Sequence, residues 1–81
     1  MKIIKTTPYA IIVERDGWHI KIAGETFVRG YGSPDFIIYL NSIKRWEREE
    51  KEIPISEEER NMVVSFVLAE LRSKRWLIEV E

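Results

Sequence analysis

The dipeptide Asp16-Gly17 lies between two runs of alternating apolar residues, and no other feature of the sequence restricts the fold as strongly. Asp and Gly accept the positive φ angles that a two-residue hairpin turn requires. With this loop, one side of the ribbon becomes largely apolar, and a shift by one residue would mix the two sides. The sequence therefore predicts a β-hairpin over residues 9–23. Its cross-strand pairs are Arg15 with Trp18, Glu14 with His19, Val13 with Ile20 and Ile11 with Ile22.

A second tight turn is predicted at Gly24-Glu25, because glycine in the first position suits a type II′ turn. Residues 26–29 would then form the third strand of an antiparallel meander. Residues 30–34, Gly-Tyr-Gly-Ser-Pro, break the alternation again and are typical of a turn. A dinucleotide-binding fingerprint does not fit there, since Asp35 stands where its third glycine would be.

Residues 36–40, Phe-Ile-Ile-Tyr-Leu, have two interpretations. With Ser33 as the N-cap and Pro34 in the first turn, they would begin a helix. As an unbroken run of apolar and β-branched residues after a turn, they would form a strand buried on both faces. The sequence favours the strand, followed by a turn or short helical piece around residues 42–46.

The second half of the chain predicts one helix. Residues 47–54 are mostly charged and are interpreted as an exposed connection. Ser56 and Glu59 then match a capping box, in which each side chain accepts from the other's backbone N–H. A helix over about residues 57–72 follows, and its apolar stripe should cover the sheet. The stripe consists of Val64, Val67, Leu68 and Leu71, widened by Val63 and Phe66. Alternation in residues 76–81 predicts a final strand.

These elements predict an α+β fold, in which an antiparallel β-meander sheet packs against one α-helix in the C-terminal half and a final C-terminal strand returns to the sheet. With 81 residues the chain has the usual size of one domain, so we expect residues 1–81 to form a single unit. The absence of Cys argues against disulfides and thiolate metal sites and fits a reducing cytoplasm. No apolar run approaches the roughly 18 residues of a membrane-spanning helix, so a soluble, unprocessed protein is expected.

No catalytic or metal-binding constellation stands out in the sequence. His19 is the only histidine, and with its predicted neighbour Glu14 it could form the acid–base pair of a small hydrolase. A cross-strand pair on a solvated face explains the two residues more simply. The carboxylates of residues 47–59 alternate with Lys and Arg or start the helix, and they match neither a calcium loop nor zinc-ligand spacing. We therefore expect no enzymatic activity, no cofactor and no metal.

The tripeptides Lys44-Arg45-Trp46 and Lys74-Arg75-Trp76 raise nucleic-acid binding as an alternative function. Lys and Arg contact phosphates, and Trp can stack on bases. Thirteen Lys and Arg against fourteen Asp and Glu give a net charge of −1, which argues against a polyanion as the partner. The two tryptophans are interpreted instead as core or sheet-edge residues flanked by solvated charges.

Several segments together resemble a family of small bacterial immunity proteins from polymorphic-toxin systems of the contact-dependent inhibition type. The segments are Gly24-Glu25, Phe36-Ile37-Ile38-Tyr39, Asn41-Ser42-Ile43-Lys44-Arg45-Trp46-Glu47 and Ile55-Ser56-Glu57-Glu58-Glu59. The resemblance covers nearly the whole chain. It implies a protein that binds a cognate toxin domain, commonly a nuclease, in the cytoplasm of the producing cell. Such a protein blocks the active site or substrate path of the toxin without catalysis.

Candidate partner-binding residues combine the acidic connection with the turn before residue 36. They are Tyr31, Asp35, Glu47, Glu49, Glu50 and Glu52. Several carboxylates on one surface would steer a basic partner and pair with its Lys or Arg side chains. An open sheet edge could also pair with a toxin strand or with a second copy of the chain. No membrane partner is expected.

Overall fold

The computed structural model describes residues 1–26 and 35–81. These residues form seven β-strands, one 3₁₀ turn at Leu40–Ser42 and one α-helix, α1, at Glu57–Ser73. The strands are β1 (Lys2–Thr7), β2 (Ala10–Arg15), β3 (Trp18–Thr26), β4 (Phe36–Ile38), β5 (Arg45–Arg48), β6 (Lys51–Pro54) and β7 (Ile78–Val80). The predicted α+β fold, with one helix in the C-terminal half and a final strand, is confirmed.

Strand β3 is the centre of the sheet. The strand order is β1-β2-β3-β4-β7, and the β5–β6 hairpin joins the sheet through β3 as well. One edge of β3 pairs with β2, whereas the other edge meets β5 near its start and β4 at its end. Strand β7 runs parallel to β4, so the sheet is mixed.

The predicted hairpin is confirmed in its register. All four predicted cross-strand pairs occur between β2 and β3. Asp16 has a φ of 52° and Gly17 a φ of 83°, the combination that a type I′ turn requires. Val13 and Ile20 consequently face the core, and Glu14 and His19 face solvent.

The turn predicted at Gly24-Glu25 is wrong, because β3 continues through both residues to Thr26. Gly24 pairs with Ile38, and a Cβ atom on Gly24 would overlap the Ile37 carbonyl oxygen and the Phe36 ring. The glycine therefore permits a close approach of two strands rather than a turn. The rest of the predicted third strand and the predicted 30–34 turn lie outside the described residues.

Residues 36–38 form a buried strand, as the sequence favoured. The short helical piece comes earlier than predicted, at Leu40–Ser42, and β5 occupies part of the predicted place. The charged stretch 47–54, predicted as a connection, belongs mostly to the β5–β6 hairpin. Pairing of Trp46 with Ile53 and an Arg45–Glu52 ion pair of 3.0 Å explain why so charged a segment forms a ladder.

Helix α1 begins at the predicted residue, Glu57. The Ser56 hydroxyl accepts a hydrogen bond from the Glu59 backbone N–H at 3.1 Å. Three glutamates occupy the first turn, where their negative charges interact favourably with the positive end of the helix dipole. Its buried residues pack on the inner face of the sheet and form one core with the strands. The helical residues in this core are Val63, Val64, Val67 and Leu71, and the strands contribute Ile11, Val13, Ile20, Ile22, Phe36, Ile38, Trp46 and Ile78.

Candidate functional site

A row of polar side chains crosses the outer face of the sheet, opposite the face that α1 covers. Each residue of the row is the cross-strand partner of the next one, from β1 through β2, β3 and β5 to β6. The residues, in spatial order, are Lys2, Glu14, His19, Glu47 and Glu52. We call this set the cross-strand row. Their alternation with core residues places them outside: Glu47 follows the buried Trp46, and Glu14 follows the buried Val13.

Two carboxylates of the cross-strand row lie directly opposite each other, since Glu47 pairs with Glu52 across the β5–β6 hairpin. Like charges in this arrangement destabilise a sheet. Arg45 offsets part of the repulsion, because its guanidinium donates to Glu52 Oε2 at 3.0 Å. That hydrogen bond, and then the charge of Glu52, raise the pKa of Arg45 against an opposing effect of burial, and the charge of Glu47 adds to the rise. Glu47 itself stands beside His19 on β3.

His19 is flanked by carboxylates on both neighbouring strands. Its Nε2 lies 3.8 Å from Glu14 Oε2, and its backbone pairs with Glu47 on the other side. The imidazole is 48% exposed, and the 3.8 Å separation exceeds hydrogen-bond length. Glu14 and His19 therefore form the exposed cross-strand pair that the hairpin register predicted.

The tip of the β5–β6 hairpin adds Glu49 and Glu50, both exposed. Glu49 has a φ of 55°, so a non-glycine residue occupies a left-handed position at this turn. Four of the six predicted partner-binding residues thus lie on one hairpin. The sequence alone did not show that they share one. They are Glu47, Glu49, Glu50 and Glu52.

The other two predicted residues have different outcomes. Asp35 is engaged within the fold: its Oδ2 accepts from the Leu77 backbone N–H at 2.7 Å, and its own N–H donates to the Leu77 carbonyl oxygen at 2.7 Å. This reciprocal pair holds the start of β4 beside the start of β7. Tyr31 lies outside the described residues.

Trp46 belongs to the core and cannot stack on a nucleic-acid base. Its side chain is 3% exposed, and its indole N–H donates to Glu59 Oε2 at 3.2 Å. The Arg15 guanidinium lies 4.6 Å from the centre of the same ring, within cation–π distance. The interpretation of Trp46 as a core residue is confirmed, which weakens the nucleic-acid alternative. Trp76 is half-buried and packs against the same core.

A groove of about 400 Å³ opens between β3 and the segment that leads into β5. Its lining residues are Lys21, Ala23, Ser42, Lys44, Arg45 and Glu47. We call it the β3–β5 groove. The Ser42 hydroxyl accepts from the Ala23 N–H at 2.9 Å and donates to the Tyr39 carbonyl oxygen at 2.6 Å, so it fixes one wall. Sequence reasoning missed the groove, because its two sides lie about twenty residues apart in the chain.

The sequence profile of a protein family described as Immunity protein 74 matches residues 3–81. The chain belongs to this family. The match spans nearly all of the chain and confirms the resemblance to small immunity proteins of toxin systems that the segments around Trp46 and Ser56 indicated. No curated protein and no solved structure matches the chain.

The Immunity protein 74 family match covers all seven strands except Lys2, and it covers the whole of α1. The family implies an immunity protein against a toxin. The residues of the cross-strand row and the hairpin tip are exposed, except Glu14, which is partly buried. Among residues 1–26 and 35–81, no group of three or more His, Cys, Asp or Glu side chains could hold a metal ion. No helix in this part of the chain is long and apolar enough to cross a membrane.

Two features of this Immunity protein 74 family member serve the fold and explain part of the motif that carried the resemblance. Trp46 anchors β5 in the core, and Glu59, in the acidic turn after Ser56, accepts its indole N–H. The Ser42 hydroxyl accepts from the Ala23 N–H and so attaches the 3₁₀ turn to β3. The charged residue that follows Trp46, Glu47, points to the outer face instead. Trp46, Glu59 and Ser42 of the motif thus hold β5 and the chain before it in place, whereas Glu47 is exposed on the outer face.

Proposed function

We propose that this protein is a non-enzymatic inhibitor that binds a cognate toxin domain, and that it does so in the cytoplasm of the cell that produces the toxin. The contact surface in this proposal is the outer face of the sheet around the cross-strand row, together with the hairpin tip. The observation that carries it is the direct opposition of Glu47 and Glu52 on an exposed face.

The opposition of two carboxylates is a cost that folding alone does not require. A single Lys or Thr at either position would remove the repulsion and keep the strand register. A partner that places Lys or Arg against these carboxylates would turn the repulsion into attraction when the complex forms. Glu49 and Glu50 at the tip add two exposed carboxylates, and Arg48 and Lys51 lie between them and the Glu47–Glu52 pair. A partner with basic side chains at matching positions would therefore be attracted to the carboxylates of the hairpin.

The sign of this surface supports a nuclease as the toxin. Enzymes that act on nucleic acids carry Lys and Arg along the path of the phosphate backbone. The hairpin bears four exposed glutamates against three exposed basic residues, Arg45, Arg48 and Lys51. Its carboxylates would pair with Lys and Arg along that path, and the bound hairpin would exclude the substrate. The proposed inhibition is therefore competitive: the hairpin takes the place of the phosphates and needs no chemistry of its own.

Co-expression tests the proposal. The toxin domain encoded beside this chain's gene is induced in a host that carries either the wild-type protein or a variant, and growth is recorded. The wild-type protein should restore growth, and Glu47→Lys should restore it poorly. Glu70→Lys is the matched control, because it makes the same charge change on an exposed position of α1, which covers the other face of the sheet. Failure of the wild-type protein to neutralise or bind the toxin domain would refute the proposal.

A further inference from the structure

The ladder between β3 and β5 opens after one residue pair. Within the described residues, His19 with Glu47 is its single pair. Continuation of this antiparallel register would place Lys21 opposite Arg45. Instead, the chain around the 3₁₀ turn meets β3 at Ala23, where the Tyr39 N–H donates to the Ala23 carbonyl oxygen at 3.0 Å. The β3–β5 groove is the space left between these two points of attachment.

Three basic residues contribute to the lining of the β3–β5 groove, and two of them form no ion pair with a described residue. Arg45 is engaged by Glu52. Lys21 and Lys44 are exposed, and neither forms an ion pair with a described residue. Residues 27–34 contain no Asp or Glu that could serve as a partner. Lys21 and Lys44 therefore border one opening whose lining contains a single acidic residue, Glu47.

We infer that the β3–β5 groove receives an acidic side chain of the toxin domain, which pairs with Lys21 and Lys44. The inference rests on the proposed function, since it names a second contact of the same partner. The Ser42 hydroxyl already donates its one hydrogen to the Tyr39 carbonyl oxygen, so it has none left for a carboxylate. Recognition in the groove therefore depends on Lys21 and Lys44, beside the N–H groups of Arg45 that Glu52 leaves free. A flexible Lys side chain with three donors can follow a carboxylate that enters from solvent.

The neighbouring charges select a protein carboxylate over a nucleic acid. Glu47 forms part of the groove wall, and Glu52 and Glu14 follow it along the cross-strand row. Double-stranded DNA carries one negative charge per about 1.7 Å of helix axis, so a duplex laid over Lys21 and Lys44 would also meet these carboxylates. A protein surface can present one carboxylate to the groove and Lys or Arg to the row. The outer face thus carries a two-signed pattern that suits a folded protein.

Calorimetric titration of the purified toxin domain tests the inference. Lys21→Glu and Lys44→Glu should each weaken binding about 10-fold or more at low salt, whereas Lys74→Glu, the same change at the end of α1, should leave it within about 2-fold. Circular dichroism and urea unfolding verify that each variant folds. A carboxylate-to-Lys change in the toxin domain that restores the affinity of Lys21→Glu would identify the residue that enters the groove.

The outcomes separate this inference from the proposed function. If Glu47→Lys weakens binding while Lys21→Glu and Lys44→Glu bind like the wild type, the groove has no acidic occupant and the inference is overturned, although the inhibitor proposal stands. If the wild-type protein binds no toxin domain, the proposed function itself fails. If Lys21→Glu instead abolishes a salt-sensitive affinity for a duplex oligonucleotide, the groove serves a polyanion and the inference is also overturned.

Discussion

Glu59 Oε2 accepts hydrogen bonds from both the Trp46 indole N–H and the Arg15 guanidinium, each at 3.2 Å. One carboxylate oxygen therefore joins the first turn of α1 to β5 and to the end of β2. The sequence predicts that Glu59 returns to the Ser56 backbone in a capping box. The Ser56 half of that motif is present, but the Glu59 carboxylate is directed to the two strands instead.

Removal of this acceptor should destabilise the protein. We expect Glu59→Ala to lower the free energy of unfolding by about 1–2 kcal/mol, because the nearly buried Trp46 indole N–H loses its acceptor. Glu59→Gln keeps an acceptor oxygen and should cost less than about 1 kcal/mol, since the half-exposed Arg15–Glu59 ion pair contributes little in water. Urea unfolding followed by tryptophan fluorescence measures both. Equal stability of Glu59→Ala and the wild type would contradict this role of Glu59.

Gly24→Ala should be among the most damaging single substitutions. The added Cβ would overlap both the Phe36 ring and the Ile37 carbonyl oxygen. That oxygen cannot move without disturbing the β3–β4 ladder. We expect a loss of about 3 kcal/mol or more. Gly17→Ala is the comparison: at a φ of 83° it is strained, but its Cβ meets only Arg48 side-chain atoms at 3.7 Å. It should cost about 1 kcal/mol. Similar losses for the two variants in thermal unfolding would show that backbone freedom, not close approach, explains Gly24.

Arg75→Gly should stabilise the protein. Arg75 has a φ of 66° and occupies the left-handed position of a Schellman motif at the end of α1. In this motif the Trp76 N–H donates to the Leu71 carbonyl oxygen at 3.1 Å, and the Arg75 N–H donates to the Arg72 carbonyl oxygen at 2.9 Å. Glycine adopts this conformation without strain, so a gain of roughly 0.5–1 kcal/mol is expected. Lys74→Gly, at a φ of −92°, should bring no gain. A lower melting temperature for Arg75→Gly would count against this assignment.

Alkaline pH should reveal the effect of Glu25 on the ionisation of Tyr39. Hydrogen bonding to Glu25, then burial and the charges of Glu25 and Glu81, raise the pKa of Tyr39 above its ordinary value. Since the folded state holds this proton more tightly than the unfolded state, the contribution is complete below about pH 10 and is lost as the pH rises through the raised pKa. Tyr39→Phe should therefore lose less stability than the wild type as the pH rises above about 10. Parallel pH profiles of the free energy of unfolding would exclude the coupling.

The parts of the fold that local chemistry determines could be predicted from the sequence. The β2–β3 hairpin follows from Asp16-Gly17 and the alternation around it, and the start of α1 follows from Ser56. Both depend on residues within a few positions of each other. The turn predicted at Gly24 was wrong because the reason for this glycine is Phe36, on another strand.

The candidate site was predicted only in part, for a similar reason. The glutamates of residues 47–52 were identified by their charge, but their placement on one hairpin depends on the pairing of Trp46 with Ile53. The β1 strand was not predicted, since its lysines obscure the alternation. The β3–β5 groove combines Lys21 with Lys44, and no local pattern connects them. Charge patterns thus indicated the residues, and tertiary pairing decided which of them share a surface.

The affinity of the cognate toxin domain for the wild-type protein and for Glu47→Lys, with Glu70→Lys as the control, tests the central claim most directly. Calorimetric titration at two salt concentrations supplies the dissociation constants. The account predicts tight binding by the wild type and Glu70→Lys, a loss of at least about 10-fold for Glu47→Lys, and weaker wild-type binding at the higher salt concentration. Equal affinities for the three proteins would contradict the claim that the outer face of the sheet holds the toxin.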